Sequence, residues 1–399
     1  MGAWAAEIRV GVVGTGFIAS HFLTAFDGRQ GLRVTKVLTR RDPAGVRGFP
    51  RPELLTNARD ELLERADVVF ECSGDAVYAT DTVDVALRAG LPVVTCNPEF
   101  HVTAGSWFVG RGLVTESEGD QPGALVALHR WACELGFRPL VHANIKGFRN
   151  YAPTPADMLH WSRKQGISLQ MVTAATDGTK IQVEQALVAN ALSIGIATPG
   201  LLGPEDADYR AAGFRLAEEA RRLGRPISDY VLSPGAPHGV FLIAEHDREQ
   251  AAALEYLKLG GGPWYLILRN NVFAHLEVGR MIRQVIERGR GLLDNSAVPS
   301  IGVAALAKRP LAAGTPIDRA IGGFEFRGIA VAIADNPDAV PIGLLDRARL
   351  RRRIEPDQLV SFDDVDLPET LALQAWRETL RRVQTAGGGP VPDPRAGRA

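Results

Sequence analysis

The chain contains few cysteines, and their spacing argues against two common kinds of site. Only three of its 399 residues are cysteine, Cys72, Cys96 and Cys133, an odd number without CxxC spacing. Because disulfide frameworks and zinc sites need paired, regularly spaced cysteines, neither is expected here. We expect a reducing compartment, in which the three thiols act as small core residues.

Long apolar runs and an excess of one charge are also missing. No stretch of about 18 apolar residues could span a bilayer, and the first ten residues lack a basic segment followed by an apolar run of signal length. The 45 Lys and Arg residues nearly balance the 46 Asp and Glu residues, so no overall field favours nucleic acid or an anionic membrane. The expectation by elimination is a cytoplasmic protein whose partner is a small-molecule substrate.

The histidines and serines form no familiar catalytic pattern. The eight histidines show no metal-ligand spacing, and Ser, His and Asp do not cluster as in hydrolases. We therefore expect no metal, and we assign structural roles to His129 and His142.

The order of apolar runs predicts an α/β chain that begins with a Rossmann-type, doubly wound parallel sheet over residues 1–150. The predicted strands are Ile8 to Val13, Leu32 to Leu38, Asp67 to Cys72, Pro92 to Cys96 and Pro139 to Ala143. The predicted helices are Phe17 to Phe26, Asn57 to Arg65, Tyr78 to Ala89 and Pro122 to Leu135. Gly90 and Gly136 follow two of these helices, where a left-handed residue is usual.

The pattern changes after Asn150. Residues 151–300 predict a mixed α+β catalytic and oligomerisation domain, with a helix between Thr154 and Gly166 and strands at 240–244 and 264–268. Residues 301–385 predict a small β-rich domain that ends in an amphipathic helix at 369–383. The Gly- and Pro-rich tail, 386–399, predicts disorder.

A glycine turn gives the strongest local signal. The segment Gly14-Thr15-Gly16 follows an apolar strand and opens a helix that begins at Phe17-Ile18. In dinucleotide-binding folds such glycines let backbone amides approach a pyrophosphate, and the helix N-terminus favours the anion. We predict dinucleotide binding by these five residues; the alternative is a purely structural turn.

The end of the second predicted strand indicates which dinucleotide is used. NAD enzymes usually carry an acid there, whereas this chain has Thr39-Arg40-Arg41. Two guanidinium groups suit a 2′-phosphate, which predicts NADP. The alternative is that one or both arginines are solvated loop residues.

Two further strand ends carry polar residues at the carboxyl edge, where open α/β sheets bind ligands. Ser73-Gly74 and Asn97-Pro98-Glu99 follow the strands at 67–72 and 92–96. We expect Ser73 and Gly74 to line the cofactor, and Asn97 and Glu99 to reach its nicotinamide end. Ordinary capping of the strand ends explains the same residues equally well.

The segment from Asp177 to Glu184 predicts a catalytic helix start. Thr179 and Gln182 have the spacing of a capping box, which places Lys180 in the first turn, where partial positive charge should lower its pKa. Asp177 and Glu184 are expected to orient its ammonium. The alternative is a surface lysine–glutamate pair.

A second lysine, Lys146, follows the predicted strand at 139–143. Its place at the sheet edge favours a role in substrate binding or proton transfer, and the alternative is a hinge lysine.

At these residues the chain resembles the homoserine dehydrogenase-like oxidoreductases with a C-terminal SAF domain, which include 1-deoxy-D-xylulose 5-phosphate reductoisomerase-like enzymes. The matching stretches are Gly14 to Phe17, Glu71 to Asp75, Glu118 to Gly123, Asn144 to Phe148, Asp177 to Lys180 with Glu184, Ala189-Asn190, Ala307 to Gly314 and Pro341 to Leu345. One departure is Asn270 to Phe273 before His275-Leu276-Glu277, which suggests a changed substrate pocket.

The resemblance implies a Rossmann domain, a catalytic α+β domain that sends a helix back to it near Met281, and a small SAF-like domain. It implies hydride transfer between NADP(H) and a carbonyl or alcohol of a small polar substrate, phosphorylated or not, with or without a rearrangement. We expect a homodimer or higher homo-oligomer. The alternative function is a dinucleotide-binding sensor or scaffold without turnover.

Overall fold

The computed structural model describes residues 7–386. Its first sheet has six parallel strands in the order β3-β2-β1-β4-β5-β6. The strands are β1 (Ile8–Val13), β2 (Leu32–Leu38), β3 (Leu55–Thr56), β4 (Val68–Glu71), β5 (Val93–Thr95) and β6 (Val114–Glu116). The strand order reverses between β1 and β4, as in doubly wound dinucleotide-binding sheets, so the predicted class is confirmed.

The helices of this part of the chain follow the predicted alternation. They are α1 (Phe17–Phe26), α2 (Arg59–Leu63), α3 (Ala76–Arg88), α4 (Pro98–Phe100), α5 (Ser106–Phe108) and α6 (Gln121–Glu134). A π-helical turn, His101–Gly105, joins α4 to α5. The predicted bounds of β1, β2 and α1 agree with the structure to the residue, and Gly90 and Gly136 have positive φ as expected.

The strand predicted at 139–143 exists but lies in another sheet. It is β7 (Arg138–Lys146), and it pairs with β8 (Ile227–Leu232) and β9 (Gly239–Glu245) in a mixed sheet completed by β10 (Trp264–Asn270). The first sheet instead ends with β6, a three-residue strand too short and polar to give an apolar run. The assignment of residues 139–143 to the first sheet is therefore wrong.

This part of the chain combines the mixed sheet with helices, which confirms the predicted α+β character. The helices are α7 (Pro155–Gln165), α8 (Leu169–Thr176), α9 (Thr179–Leu192), α10 (Tyr209–Leu223), α11 (Ala251–Tyr256) and α12 (Ala274–Arg288). The predicted ends of α7 are confirmed, because the Thr154 side chain caps its first turn and Gly166 ends it at φ 66°.

Helix α12 returns to the first sheet, as the resemblance implies. Its Gly279 lies so close to Phe26 of α1 that a Cβ there would be 2.7 Å from the aromatic ring. Met281 and Ile282 are buried on the same helix. The helix thus ties the catalytic part of the chain to the dinucleotide-binding part.

The C-terminal part, residues 301–386, is a small unit of short antiparallel strands. They are β11 (Ile301–Ala307), β12 (Pro316–Ile317), β13 (Phe326–Ala332), β14 (Ala348–Leu350) and β15 (Val365–Asp366), followed by α13 (Leu371–Ala386). The β-rich character and the final helix agree with the prediction. The remaining predicted tail, 387–399, lies outside the described residues.

The C-terminal unit packs on the start of α9. There it contacts two α9 side chains that the sequence predicts to cap that helix. Thr179 Oγ1 accepts from the Gly328 amide, and Gln182 Oε1 accepts from the Ala330 amide. Helix α9 is preceded by Gly178 at φ 85°, and Thr179 is its first residue. The predicted capping box is wrong, because both side chains are used to dock β13.

The structure also describes the cysteines and the length of each helix. All three cysteines are free, but Cys133 is exposed, so its assignment to the core is wrong. No helix in the described range 7–386 is both long and apolar enough to cross a membrane.

Candidate functional site

The glycine turn after β1 has the geometry that a pyrophosphate requires. Gly14 adopts φ 111°, and a Cβ there would lie 2.9 Å from the Cys72 carbonyl oxygen, so only glycine fits. Gly16 caps the start of α1 and faces open space. The first turn of α1 holds no acidic residue, so its backbone amides are free to favour an anion.

The two arginines after β2 contact different neighbours near this turn. Arg41 donates to Thr15 Oγ1 at 2.5 Å, beside the glycines. Arg40 pairs with Asp75 at 2.7 Å, and its guanidinium lies 4.8 Å from the centre of the Tyr78 ring. Both predicted residues therefore lie at the carboxyl edge of the sheet, where the adenosine ribose of a dinucleotide is bound in this fold.

A buried carboxylate, Glu71, connects the two polar strand ends next to this turn. Its Oε1 accepts from the Ser73 amide at 2.8 Å, and its Oε2 accepts from Asn97 Nδ2 at 2.9 Å. Burial raises the pKa of Glu71 to about 7, against its ordinary 4.5, although these hydrogen bonds oppose the shift. Sequence reasoning gave Glu71 no role, yet an acid that ends a buried strand is a usable signal.

A second buried carboxylate, Glu116, supports Asn97 from β6. Its Oε2 accepts from Thr95 Oγ1 at 2.5 Å and from the Asn97 amide at 3.2 Å. Asn97 Oδ1 in turn accepts from the Phe100 amide. Asn97 is thus held on three sides, which fixes the loop that carries Glu99.

Lys180 lies among four acidic side chains. Burial alone would lower its pKa, but the charges of Glu99, Asp120, Glu184 and Glu116 outweigh burial and raise the pKa above its ordinary value. The predicted lowering is wrong, because four carboxylates act more strongly than the partial charge of a helix end. Lys180 therefore stays an ammonium at neutral pH.

Glu184 brings the two predicted lysines together. Its carboxylate is buried, with Oε2 at 3.1 Å from Lys146 Nζ and Oε1 at 3.8 Å from Lys180 Nζ. Asn144 Nδ2 donates to the same Oε2 at 2.8 Å. The lysine side chains keep 23% and 20% of their surface exposed, so a substrate can reach both.

Asn144 and His238 were missed from the sequence. Asn144 precedes Lys146 by two residues on β7, so both point to one face of the strand, which is a signal that could have been used. His238 lies on the loop before β9, and burial together with the charge of Lys146 lowers its pKa. No local pattern marks His238, because only the sheet brings it to Lys146.

Asp177 does not orient Lys180. Its Oδ2 pairs with Lys308 Nζ of the C-terminal unit at 2.5 Å, and its Oδ1 accepts from the Thr179 amide at 2.9 Å. Both charged groups are almost fully buried. Asp177 thus forms an ion pair between two parts of the chain in place of the predicted contact with Lys180.

The residues that depart from the family pattern lie beside the dinucleotide turn. Asn270 ends β10, Asn271 has φ 65°, and Phe273 is half-exposed. His275, just beyond them, has its ring 6.2 Å from that of Phe17 at the start of α1. The segment therefore borders the cofactor side of the cleft.

The arrangement fits a dinucleotide and offers no cluster of metal ligands. Gly14, Gly16 and the start of α1 form an open cradle, and Arg41 is hydrogen-bonded to Thr15 within the same turn. Within residues 7–386, no group of three or more His, Cys, Asp or Glu side chains is placed to hold a metal ion.

Two family models match the chain in the order of its domains. The NAD-binding domain of homoserine dehydrogenase matches residues 14–105, and the catalytic domain of oxidoreductase DRL matches residues 119–278. A search of curated proteins finds no match.

Solved structures similar to the chain include three dehydrogenases. Myo-inositol dehydrogenase from Corynebacterium glutamicum is 12% identical with a TM-score of 0.42, over 71% of this chain and 90% of that one. UDP-N-acetylglucosamine 3-dehydrogenase from Acidithiobacillus ferrooxidans is 11% identical with a TM-score of 0.40, over 72% and 92%. An inositol dehydrogenase homologue from Azotobacter vinelandii, solved with NADH and myo-inositol, is 15% identical with a TM-score of 0.38, over 61% and 69%.

The glycine cradle lies at the start of the match to the NAD-binding domain, and Lys146, Lys180 and Glu184 lie within the match to the catalytic domain. Together the two matches support a homoserine dehydrogenase-like NAD(P)-dependent oxidoreductase.

Proposed function

We propose that the protein transfers a hydride between NADP(H) and a carbonyl or alcohol carbon of a small polar substrate. The observation that carries the proposal is the pair of partly exposed ammonium groups, Lys146 and Lys180, that share the buried carboxylate of Glu184. The charge of Glu99, which follows β5 of the dinucleotide-binding sheet, acts on Lys180 and so joins this pair to the cofactor edge.

When bound, the nicotinamide supplies or accepts the hydride. The Gly14–Gly16 turn and the N-terminus of α1 would hold its pyrophosphate. Arg40 and Arg41 would hold the 2′-phosphate, since guanidinium groups make charge-assisted bonds to phosphate oxygens.

Lys180 serves the substrate oxygen in the direction of reduction. Hydride addition leaves negative charge on that oxygen, and a fixed ammonium stabilises the charge and then gives up a proton to it. A raised pKa does not prevent this step, because an alkoxide is a much stronger base than an amine. The neighbouring carboxylates that keep Lys180 protonated suit it to the acid role in the direction of reduction.

Lys146 is assigned to binding the substrate. It lies at the end of β7, and its ammonium contacts Glu184 Oε2 whereas that of Lys180 is near Oε1. Lys146 is also the more exposed of the two lysines. An ammonium in that position suits a carboxylate or phosphate group on the substrate. The resemblance to reductoisomerase-like enzymes adds sugar phosphates to the candidates, with a rearrangement before reduction.

The test is a substrate screen of the purified protein. Aldehydes, ketones, hydroxy acids and sugar phosphates are incubated with NADPH or NADP, and the absorbance of the reduced cofactor is followed. Turnover should fall by roughly 10² to 10⁴ in Lys180→Met while NADPH binding remains. Lys164→Met, at an exposed lysine on α7 whose ammonium lies over the Trp161 ring, serves as the matched control and should keep full turnover.

Two outcomes would reject the proposal. NADPH binding without turnover of any compound would favour the sensor or scaffold. Equal activity in Lys180→Met and Lys164→Met would remove Lys180 from the chemistry.

A further inference from the structure

A cavity of about 300 Å³ lies between the dinucleotide-binding sheet and the C-terminal unit. Its walls come from both parts of the chain. The lining residues used below are Arg40, Asp75, Tyr78, Arg319, Asp346 and Arg347. None of them takes part in the lysine site.

The wall from the first domain belongs to the loops that bind adenosine in this fold. Arg40 follows β2, and Asp75 follows β4 and caps the first turn of α3 by accepting from the Tyr78 amide at 2.9 Å. In doubly wound sheets the ribose of a dinucleotide lies at the end of the second strand, next to the loop after the neighbouring central strand. The cavity therefore opens at the adenosine end of the cofactor.

The wall from the C-terminal unit presents Arg347 in an unusual conformation. Its φ is 64°, which costs free energy for a residue with a side chain, and such strain concentrates at functional sites. The residue is exposed, and among residues 7–386 its guanidinium has no carboxylate or hydrogen-bond partner. The carboxylate of neighbouring Asp346 is held by a hydrogen bond, because its Oδ1 accepts from the Ala320 amide at 2.8 Å.

The charges of the lining suit a nucleotide better than a simple anion. Three guanidinium groups face four carboxylates, those of Asp75, Asp81, Asp318 and Asp346. Carboxylates accept from ribose hydroxyls, guanidinium groups bind phosphate, and the Tyr78 ring offers a flat surface for a base. A phosphate alone would meet more carboxylates than guanidinium groups.

We propose that the C-terminal unit completes the adenosine pocket, with Arg347 as a second contact to the 2′-phosphate beside Arg40. The inference rests on the proposed use of NADP. It gives the C-terminal unit a direct part in cofactor selection, in addition to its docking on α9.

The test measures binding to the full-length protein and to two variants. Arg347→Ala keeps the same backbone requirement and removes the guanidinium. Arg353→Ala is the matched control, because Arg353 lies in the same unit, is 68% exposed and pairs with Glu355 at the surface. Calorimetry is used to measure Kd for NADPH, NADH and adenosine 2′-monophosphate, and thermal unfolding to confirm that both variants are folded.

Arg347→Ala should raise the Kd for NADPH and for adenosine 2′-monophosphate by about tenfold, as expected for the loss of one charge-assisted contact. It should change the Kd for NADH by less than about twofold. Arg353→Ala should change none of the three. Adenosine 2′-monophosphate should compete with NADPH.

The failures can be told apart. A wild-type protein that binds NADH as tightly as NADPH would reject the proposed cofactor preference itself. A wild-type preference for NADPH that Arg347→Ala leaves unchanged would overturn this inference alone. Binding of adenosine 2′-monophosphate without displacement by NADPH would likewise overturn it, because the cavity would then be a separate site.

Discussion

The titration of Glu71 should make the protein lose stability as the pH rises through the weakly acidic range. Below its ordinary pKa of 4.5, the side chain is protonated in both the folded and the unfolded protein and contributes nothing. Above 4.5 the unfolded chain ionises, while the folded protein keeps the proton up to a pKa of about 7. Between these values the unfolded state binds fewer protons, so the free energy of unfolding falls with pH.

The size of this effect follows from the shift. Each pKa unit corresponds to about 1.4 kcal/mol, so a rise from 4.5 to about 7 costs the folded protein about 3 kcal/mol once the pH exceeds 7. Other buried acids titrate over the same range, Asp229 with a pKa of about 6 among them. The comparison of the wild type with Glu71→Gln removes their contribution, because they are common to both proteins.

The assay is urea unfolding of both proteins at about pH 5 and about pH 8. Glu71→Gln loses the hydrogen bond from Asn97, which is an offset that does not depend on pH. Its stability relative to the wild type should still rise by about 2.5 kcal/mol between the two pH values, because a small part of the effect is already present at about pH 5. Glu218→Gln, at an exposed glutamate of α10, serves as the control. A stability difference for Glu71→Gln that stays constant over this range would refute the reasoning.

Three more predictions concern chemistry, cofactor choice and stability. Lys180→Met should lower kcat by roughly 10² to 10⁴ with NADPH affinity intact, whereas Lys146→Met should mainly raise the substrate KM; the reverse pattern in steady-state kinetics would exchange their roles. Replacing Arg40 and Arg41 together by Ala should narrow the gap between NADPH and NADH affinity, and calorimetry that finds the gap unchanged would rule out both arginines as the source of the preference. Lys308→Met leaves a buried carboxylate unpaired and should destabilise the protein by about 3–5 kcal/mol, so an unchanged urea midpoint would contradict the structural importance of that ion pair.

The homo-oligomeric state, the SAF-like identity of the C-terminal unit and the cytoplasmic location stay predictions. The contact of Arg40 and Arg41 with a 2′-phosphate also stays a prediction, which the substitution above tests.

The sequence by itself determined the dinucleotide-binding turn. The bounds of β1 and α1 and the need for glycine at Gly14 depend on neighbours within a few residues and on one close approach, to Cys72. The spacing of apolar residues, the residues that start a helix and those that form a turn are local features. They can therefore be read from one sequence. The ends of α7 at Thr154 and Gly166 were predictable for the same reason.

Only the tertiary structure decided which sheet β7 joins and how its lysine is used. A buried strand has the same apolar pattern in either sheet, and its partners β8 and β9 lie some 80 to 100 residues further along the chain. The pKa of Lys180 depends on Glu99, Asp120 and Glu116, which come from other elements. Electrostatic interactions act through space rather than along the chain. The helix N-terminus taken alone therefore predicts the wrong direction for the pKa shift of Lys180.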